Sequence, residues 1–189
     1  MPLDIDTTLT KLLTFAKKAR AERPYTIKNG DAGIPVTVIV IGPNDEKAVV
    51  PMVWKDEREK YAKMRVVSKT AMEVFAQAVV MLSDMRWTNS DKFCDHFKLA
   101  KPTATEPGSV ERFQKQYLRI LNDQYGGLLM NLPRNVWSDG LVAVLKGPMV
   151  GTHARVLLYE QGPGDTVLFT GGMEKHDRDQ FNLLPDWWN

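Results

Sequence analysis

A single cysteine, Cys94, is the whole thiol content of the 189-residue chain, so no disulfide can form within it and the fold must rest on its core. That usage fits a reducing compartment, and a cytoplasmic protein is expected. Long apolar runs are missing too. The longest, VTVIVI from Val36 to Ile41 and AVVML from Ala78 to Leu82, fall far short of the about 20 residues that cross a bilayer, so a soluble protein without a membrane partner is expected. The opening MPLDIDTTLTKLLTF places Asp4 and Asp6 ahead of its apolar cluster and lacks the basic start and long apolar core of an export signal. Net charge is small, 25 Lys and Arg against 23 Asp and Glu, which excludes a strong overall field for nucleic acid or acidic membranes. Low-complexity tracts and internal repeats are absent. No stretch has the spacing of a known catalytic, metal or nucleotide site, so no cofactor is expected.

What is present suits a packed globule. The apolar share is 43% with five tryptophans, and the length fits one domain spanning 1–189. The expected fold is α+β: a mixed sheet of five or six strands with three to four helices packed on it. Asp6 or Thr7 caps a first helix through Leu9, Leu12, Leu13 and Ala16. Arg20 falls on its apolar stripe, so the helix ends near there, ahead of Pro24. Asn29-Gly30-Asp31 and Gly33 form a turn-rich loop. Val36 to Ile41 is β-branched without alternation, as in a central strand covered on both faces.

The turn Gly42-Pro43-Asn44-Asp45 leads to a second, antiparallel strand within Lys47 to Trp54. Pro51 cannot donate to a ladder and so marks that strand as an edge. Asp56, with Glu59 three residues on, caps a long helix carrying Met64, Val67, Ala71, Val74 and Ala78 on one stripe. A third strand follows, about Ala78 to Leu82. The strand, helix, strand unit returns parallel, so the strand order must begin 2-1-3. Thr88 or Ser90 caps a short helix burying Phe93 and Phe97, and residues 98–109 are expected to be the most mobile. Ser109 caps a helix through Val110, Phe113, Tyr117 and Leu121 that ends at Gly126-Gly127. Leu141 to Lys146, His153 to Glu160 and Thr166 to Thr170 complete an antiparallel meander.

Candidate chemistry concentrates where the second and third strands end. Asp56 and Asp84 lie at that sheet edge as catalytic candidates. Asp31, Asp56, Asp84 and Asp91 form a carboxylate set that could hold Mg²⁺ in a hydrolase or phosphoesterase. Cap and turn roles account for the same residues and are the preferred reading. Cys94 and His96 are too close on one helix to act as nucleophile and base, and Cys94 reads as core. His153 reads as a surface residue, and the tract Glu174, His176, Asp177, Asp179 as a solvated turn. Arg112, Lys115 and Arg119 make a basic stripe open to nucleic acid, and the N-terminal basic residues Lys11 to Arg23 a second basic region. With no catalytic motif, the expected function is an intracellular module that associates with itself or another protein. The surfaces proposed for it are the Pro51-marked edge or Trp187 and Trp188 near the C-terminus.

Overall fold

The computed structural model describes residues 3–26, 33–44, 46–103 and 105–176. Its elements are α1 (Ile5–Ala21), β1 (Thr37–Ile41), β2 (Lys47–Pro51), α2 (Glu57–Glu73), β3 (Ala78–Thr88), α3 (Ser90–Phe97), α4 (Ser109–Tyr125), β4 (Trp137–Gly147), β5 (Gly151–Gln161), β6 (Val167–Phe169) and β7 (Glu174–His176). The fold is α+β, as the sequence led one to expect. One sheet runs in the order β2-β1-β3-β4-β5-β6, with β7 added on β5.

β1 pairs antiparallel with both β2 and β3, so those two strands run parallel on either side of it, as a crossover through α2 requires. The C-terminal strands form the meander: β4 pairs antiparallel with β5, and β5 with β6. The seventh strand is β7, in which Glu174 pairs with Val156 and His176 with Ala154. It comes from the polar tract read as a turn. Its backbone is recruited by β5, a tertiary preference that local composition does not reveal. β3 also runs on past Leu82 to Thr88.

The chain divides into two compact units, residues 1–85 with 139–189, and residues 86–138. In the first, strand alternation sorts the apolar residues onto two faces. Ile39, Ile41, Val80, Leu82, Leu141 and Leu157 turn toward α1, which contributes buried Leu9, Leu13 and Ala16 at helical spacing. Each such leucine gains about 1.5–3 kcal/mol from burial. Val38, Val40, Val79 and Val142 are buried on the opposite side, where α2 packs on β1 and β2 through Val67 and Ala71. Both faces of β1 are covered, which explains its unalternated β-branched sequence. α2 stops at Glu73, and Val74 and Ala78 lie beyond it because Phe75 turns into positive φ at 49° and ends the helix.

Three helix caps differ from expectation. Asp4 caps α1, accepting from the Thr7 amide at 3.0 Å, because the Asp6 carboxylate is engaged by Arg155 and Lys175. Asn89, not Thr88 or Ser90, caps α3 through the Lys92 amide at 3.0 Å. Ser109 is the first residue of α4 rather than its cap. Gly108 at φ 73° starts the helix, and the Ser109 hydroxyl accepts from the Thr103 amide at 2.9 Å. Gly126 closes α4 in the left-handed conformation, as read from the sequence.

The second unit is built on Phe93, fully buried among Phe97, Phe113 and Tyr117, with ring centroids 4.5, 6.1 and 4.7 Å away. Leu121, Leu132 and Val136 complete this core. Among the described residues, no helix is long and apolar enough to cross a membrane.

Candidate functional site

Strand alternation places three polar side chains on the α1 face of the first unit: Asp84 two residues past Leu82, Asp139 two before Leu141, and Tyr159 two past Leu157. Asp139 and Tyr159 stand directly opposite each other across β4 and β5. The last turn of α1 carries Arg20 onto the same face, and the segment after it adds Tyr25. Arg20 is 1% exposed and the Asp84 side chain 6%, so this is a buried charged pair.

Nε of Arg20 lies 2.7 Å from Oδ2 of Asp84, close enough for strong attraction yet without hydrogen-bond alignment. The other donors of the guanidinium turn to the backbone, Nη1 to the carbonyl of Pro24 at 2.9 Å and Nη2 to that of Tyr25 at 3.3 Å. Its flat face lies 4.9 Å from the Tyr159 ring centroid, a cation–π contact. Tyr159 donates its hydroxyl to Oδ1 of Asp84, and Tyr25 donates to Oδ2 of Asp139 at 2.6 Å. Gly33 closes the cluster. A Cβ there would lie 2.0 Å from Oδ2 of Asp84 and 2.7 Å from Nε of Arg20, so only glycine fits.

Burial pushes the Asp84 carboxyl above the usual carboxylate range, against the opposing pull of the Tyr159 hydroxyl and the Arg20 guanidinium. Burial, and then the hydrogen bond to Asp84, pushes the Tyr159 phenol well above its ordinary value. Tyr159 is thus held protonated and is a poor base or nucleophile. Nη1 and Nη2 of Arg20 are spent on backbone carbonyls, and Nε faces Asp84 and the Tyr159 hydroxyl. The cluster clamps the segment leaving α1 onto the sheet and offers no reactive atom to solvent. A second buried arginine, Arg155, acts similarly near the other end of α1, bonding Asp6 and the carbonyl of Ala154.

The carboxylates singled out from the sequence go to separate tasks. Asp56 caps α2, accepting from the Glu59 amide at 2.8 Å, while Glu59 reaches back to the Lys55 amide at 2.8 Å. Asp84 belongs to the buried pair. Asp91 sits exposed in the first turn of α3, in the second unit. Asp31, Asp177, Asp179, Trp187 and Trp188 lie outside the described residues. Among the described residues, no group of three or more His, Cys, Asp or Glu is placed to hold a metal ion. Cys94 is fully buried, its thiol 3.5 Å from the Ala100 carbonyl and its pKa raised, first by burial. His153 is half-buried, with Nε2 2.7 Å from the Val150 carbonyl. On α4, Arg112 pairs with Glu106, and Arg119 lies 3.5 Å from Asp123.

Tyr25, Tyr159 and Asp139 escaped the sequence reading, and Gly33 was read only as a turn residue. The available signal was Arg20 itself: an arginine on an apolar stripe requires a buried carboxylate, and only tertiary pairing shows which one.

The outer margin of the first unit has a different character. β2 stands at the end of the strand order, and Val49 and Val53 beside it are 61% and 63% exposed. The Met52 amide donates to the Val36 carbonyl at 2.8 Å, and the Glu46 carbonyl accepts from Gly42 at 2.8 Å. Even-numbered residues of β2 therefore direct their backbone groups inward to β1. Lys47, Val49 and Pro51 direct theirs outward. The missing N–H of Pro51 falls on the outward side, where it costs the β1–β2 ladder nothing. No protein-family model matches the chain, and no curated protein is significantly similar to it.

Proposed function

We propose that this protein is a non-catalytic cytoplasmic module that pairs with a second copy of itself through the outward edge of β2. The observation that carries the reading is the outward-directed backbone of Val49 at the end of the strand order, beside the exposed Val49 and Val53 side chains. A two-fold antiparallel pairing about Val49 suits this edge. The two Val49 residues exchange both backbone bonds, and each Lys47 amide meets the partner's Pro51 carbonyl. Lys47 faces a proline rather than another lysine, so like charges stay apart. Pro51 also offers no donor, and the short strand bounded by Lys47 and Pro51 resists open-ended stacking. A closed pair follows rather than a fibre. The lone buried Cys94 agrees with a reducing compartment.

The register is testable by cross-linking. A Val49→Cys variant brings two thiols together across a hydrogen-bonded pair, where Cα atoms stand about 5.5 Å apart, within disulfide reach. Mild oxidation is expected to give a covalent dimer on non-reducing gels, with Cys94 silent because it is buried. A Lys47→Cys variant, placed opposite Pro51 in this register, should cross-link far less. Equal cross-linking at both positions, or none at Val49, contradicts the pairing.

A further inference from the structure

The outer face of α2 carries charge that the association reading does not use. With 3.6 residues per turn, Arg58, Arg65 and Lys69 fall within one narrow stripe, with Ala62 on one flank and Tyr61 and Met72 on the other. No acidic residue shares that stripe. Glu57 and Glu59 belong to the first turn, where Glu57 binds Lys60 at 3.3 Å and Glu59 serves the cap, and Glu73 ends the helix. Arg58, Tyr61, Ala62 and Arg65 line a surface hollow of ≈570 Å³ together with Glu57. Tyr61 is 61% exposed, an aromatic face held in water.

Among the described residues, Arg58 and Arg65 have no acidic partner, and Lys69 has only Glu73, 3.7 Å away with both side chains exposed. Arg112 and Arg119 on α4, by contrast, each face an acid. The α2 stripe is therefore the less compensated of the two basic surfaces. Arg58 and Lys69 are eleven residues apart, about 16 Å along the axis, a span that covers several nucleotides of an extended strand.

We infer that the outer face of α2 is a binding track for single-stranded nucleic acid, in which Arg58, Arg65 and Lys69 take backbone phosphates and Tyr61 stacks on a base. Cations in line along an exposed face, with an exposed aromatic beside them, are the two components such binding needs. Arginine adds stacking to its charge. A membrane surface fits less well, since the stripe carries no Trp, Phe or Leu to insert. An acidic protein would use the cations but has no need of the tyrosine face.

The test is fluorescence anisotropy of the full chain with a labelled twenty-nucleotide oligothymidine across a salt series. Unlabelled poly-glutamate and anionic phosphatidylserine vesicles serve as competitors. Binding is expected at low salt, weakening as salt rises. The Arg58→Ala/Arg65→Ala/Lys69→Ala variant should lower the slope of log K against log salt by about 2, from three contacts at about 0.7 each. Tyr61→Ala should weaken binding about 5- to 150-fold at fixed salt. Far-UV circular dichroism confirms folding, since all four side chains lie on the solvent side of α2. The proposal is overturned by no shift at low salt, by an unchanged slope in the triple variant, or by loss on changing Arg112, Lys115 and Arg119 instead. It is equally overturned if Tyr61→Ala has no effect while poly-glutamate or vesicles displace the oligonucleotide at equal charge, which would mark an acidic protein or membrane as the partner.

Discussion

Replacing Arg20 by methionine keeps a long side chain on the α1 stripe but removes the cation that, among the described residues, pairs with Asp84. Arg20→Met leaves a carboxyl 6% exposed with the Tyr159 hydroxyl as its remaining donor, and deprives the Pro24 and Tyr25 carbonyls of their partner. Removing one member of a buried pair costs about 3–5 kcal/mol. With a urea dependence of about 2 kcal/mol/M, the unfolding midpoint should fall by about 1.5–2.5 M at neutral pH.

The pH dependence has a definite sign. Asp84 already sits above its ordinary range, and losing Arg20 removes an influence that holds it down. The folded state then keeps a proton that the unfolded chain releases near pH 3.9. Asp84's stabilising contribution is complete below that value and is lost as pH rises through the folded value, at up to about 1.4 kcal/mol per unit. The Arg20→Met penalty should therefore be largest at neutral pH and shrink in acid. Adding Asp84→Asn should restore part of the neutral-pH stability, because an amide needs no counter-charge. Urea unfolding of the single and double variants at two pH values reads all of this. A neutral-pH midpoint within 0.5 M of wild type (below about 1 kcal/mol), or a penalty equal in acid and at neutrality, would refute the reasoning.

Gly33→Ala should lose about 1–3 kcal/mol by thermal or urea unfolding, because its methyl would meet Oδ2 of Asp84 at 2.0 Å. Phe93→Ala removes the ring around which the second unit packs, and should cost about 3–5 kcal/mol together with near-ultraviolet dichroism from the surrounding aromatics. Asp56→Ala deletes the α2 cap and should cost about 1 kcal/mol. Titration with Mg²⁺ should give the same trace before and after that change. A signal lost with Asp56 would assign it a metal role instead.

The fold was legible where local chemistry and tertiary demand agree. Pro51 announced an edge, and the edge, combined with the parallel return through α2, ordered the first three strands. The turn at Gly126-Gly127, with φ of 62° and 75°, requires backbone freedom that few residues supply. β7 was not legible, because a polar three-residue strand exists only through the pairing β5 offers it. The caps at Asp4 and Asn89 were misplaced by one to three residues for a related reason: several hydroxyl and carboxylate residues cluster at each start, and Asp6 is claimed by Arg155 from distant sequence. The buried cluster was half visible. Arg20 was seen to violate the apolar stripe, but its partners lie 64 and 139 residues further along the chain. Wheel arithmetic alone could not join them.

Sedimentation equilibrium of wild type and Val49→Lys over a dilution series tests the association through β2 most directly. Val49 is exposed and its backbone bonds point away from β1, so the substitution leaves the ladder intact while setting two lysines against each other in the pair. The expected result is a concentration-dependent dimer for wild type and a monomer for Val49→Lys with an unchanged far-ultraviolet spectrum. A wild-type chain that stays monomeric at every concentration, or a Val49→Lys chain that dimerises as tightly as wild type, would contradict it.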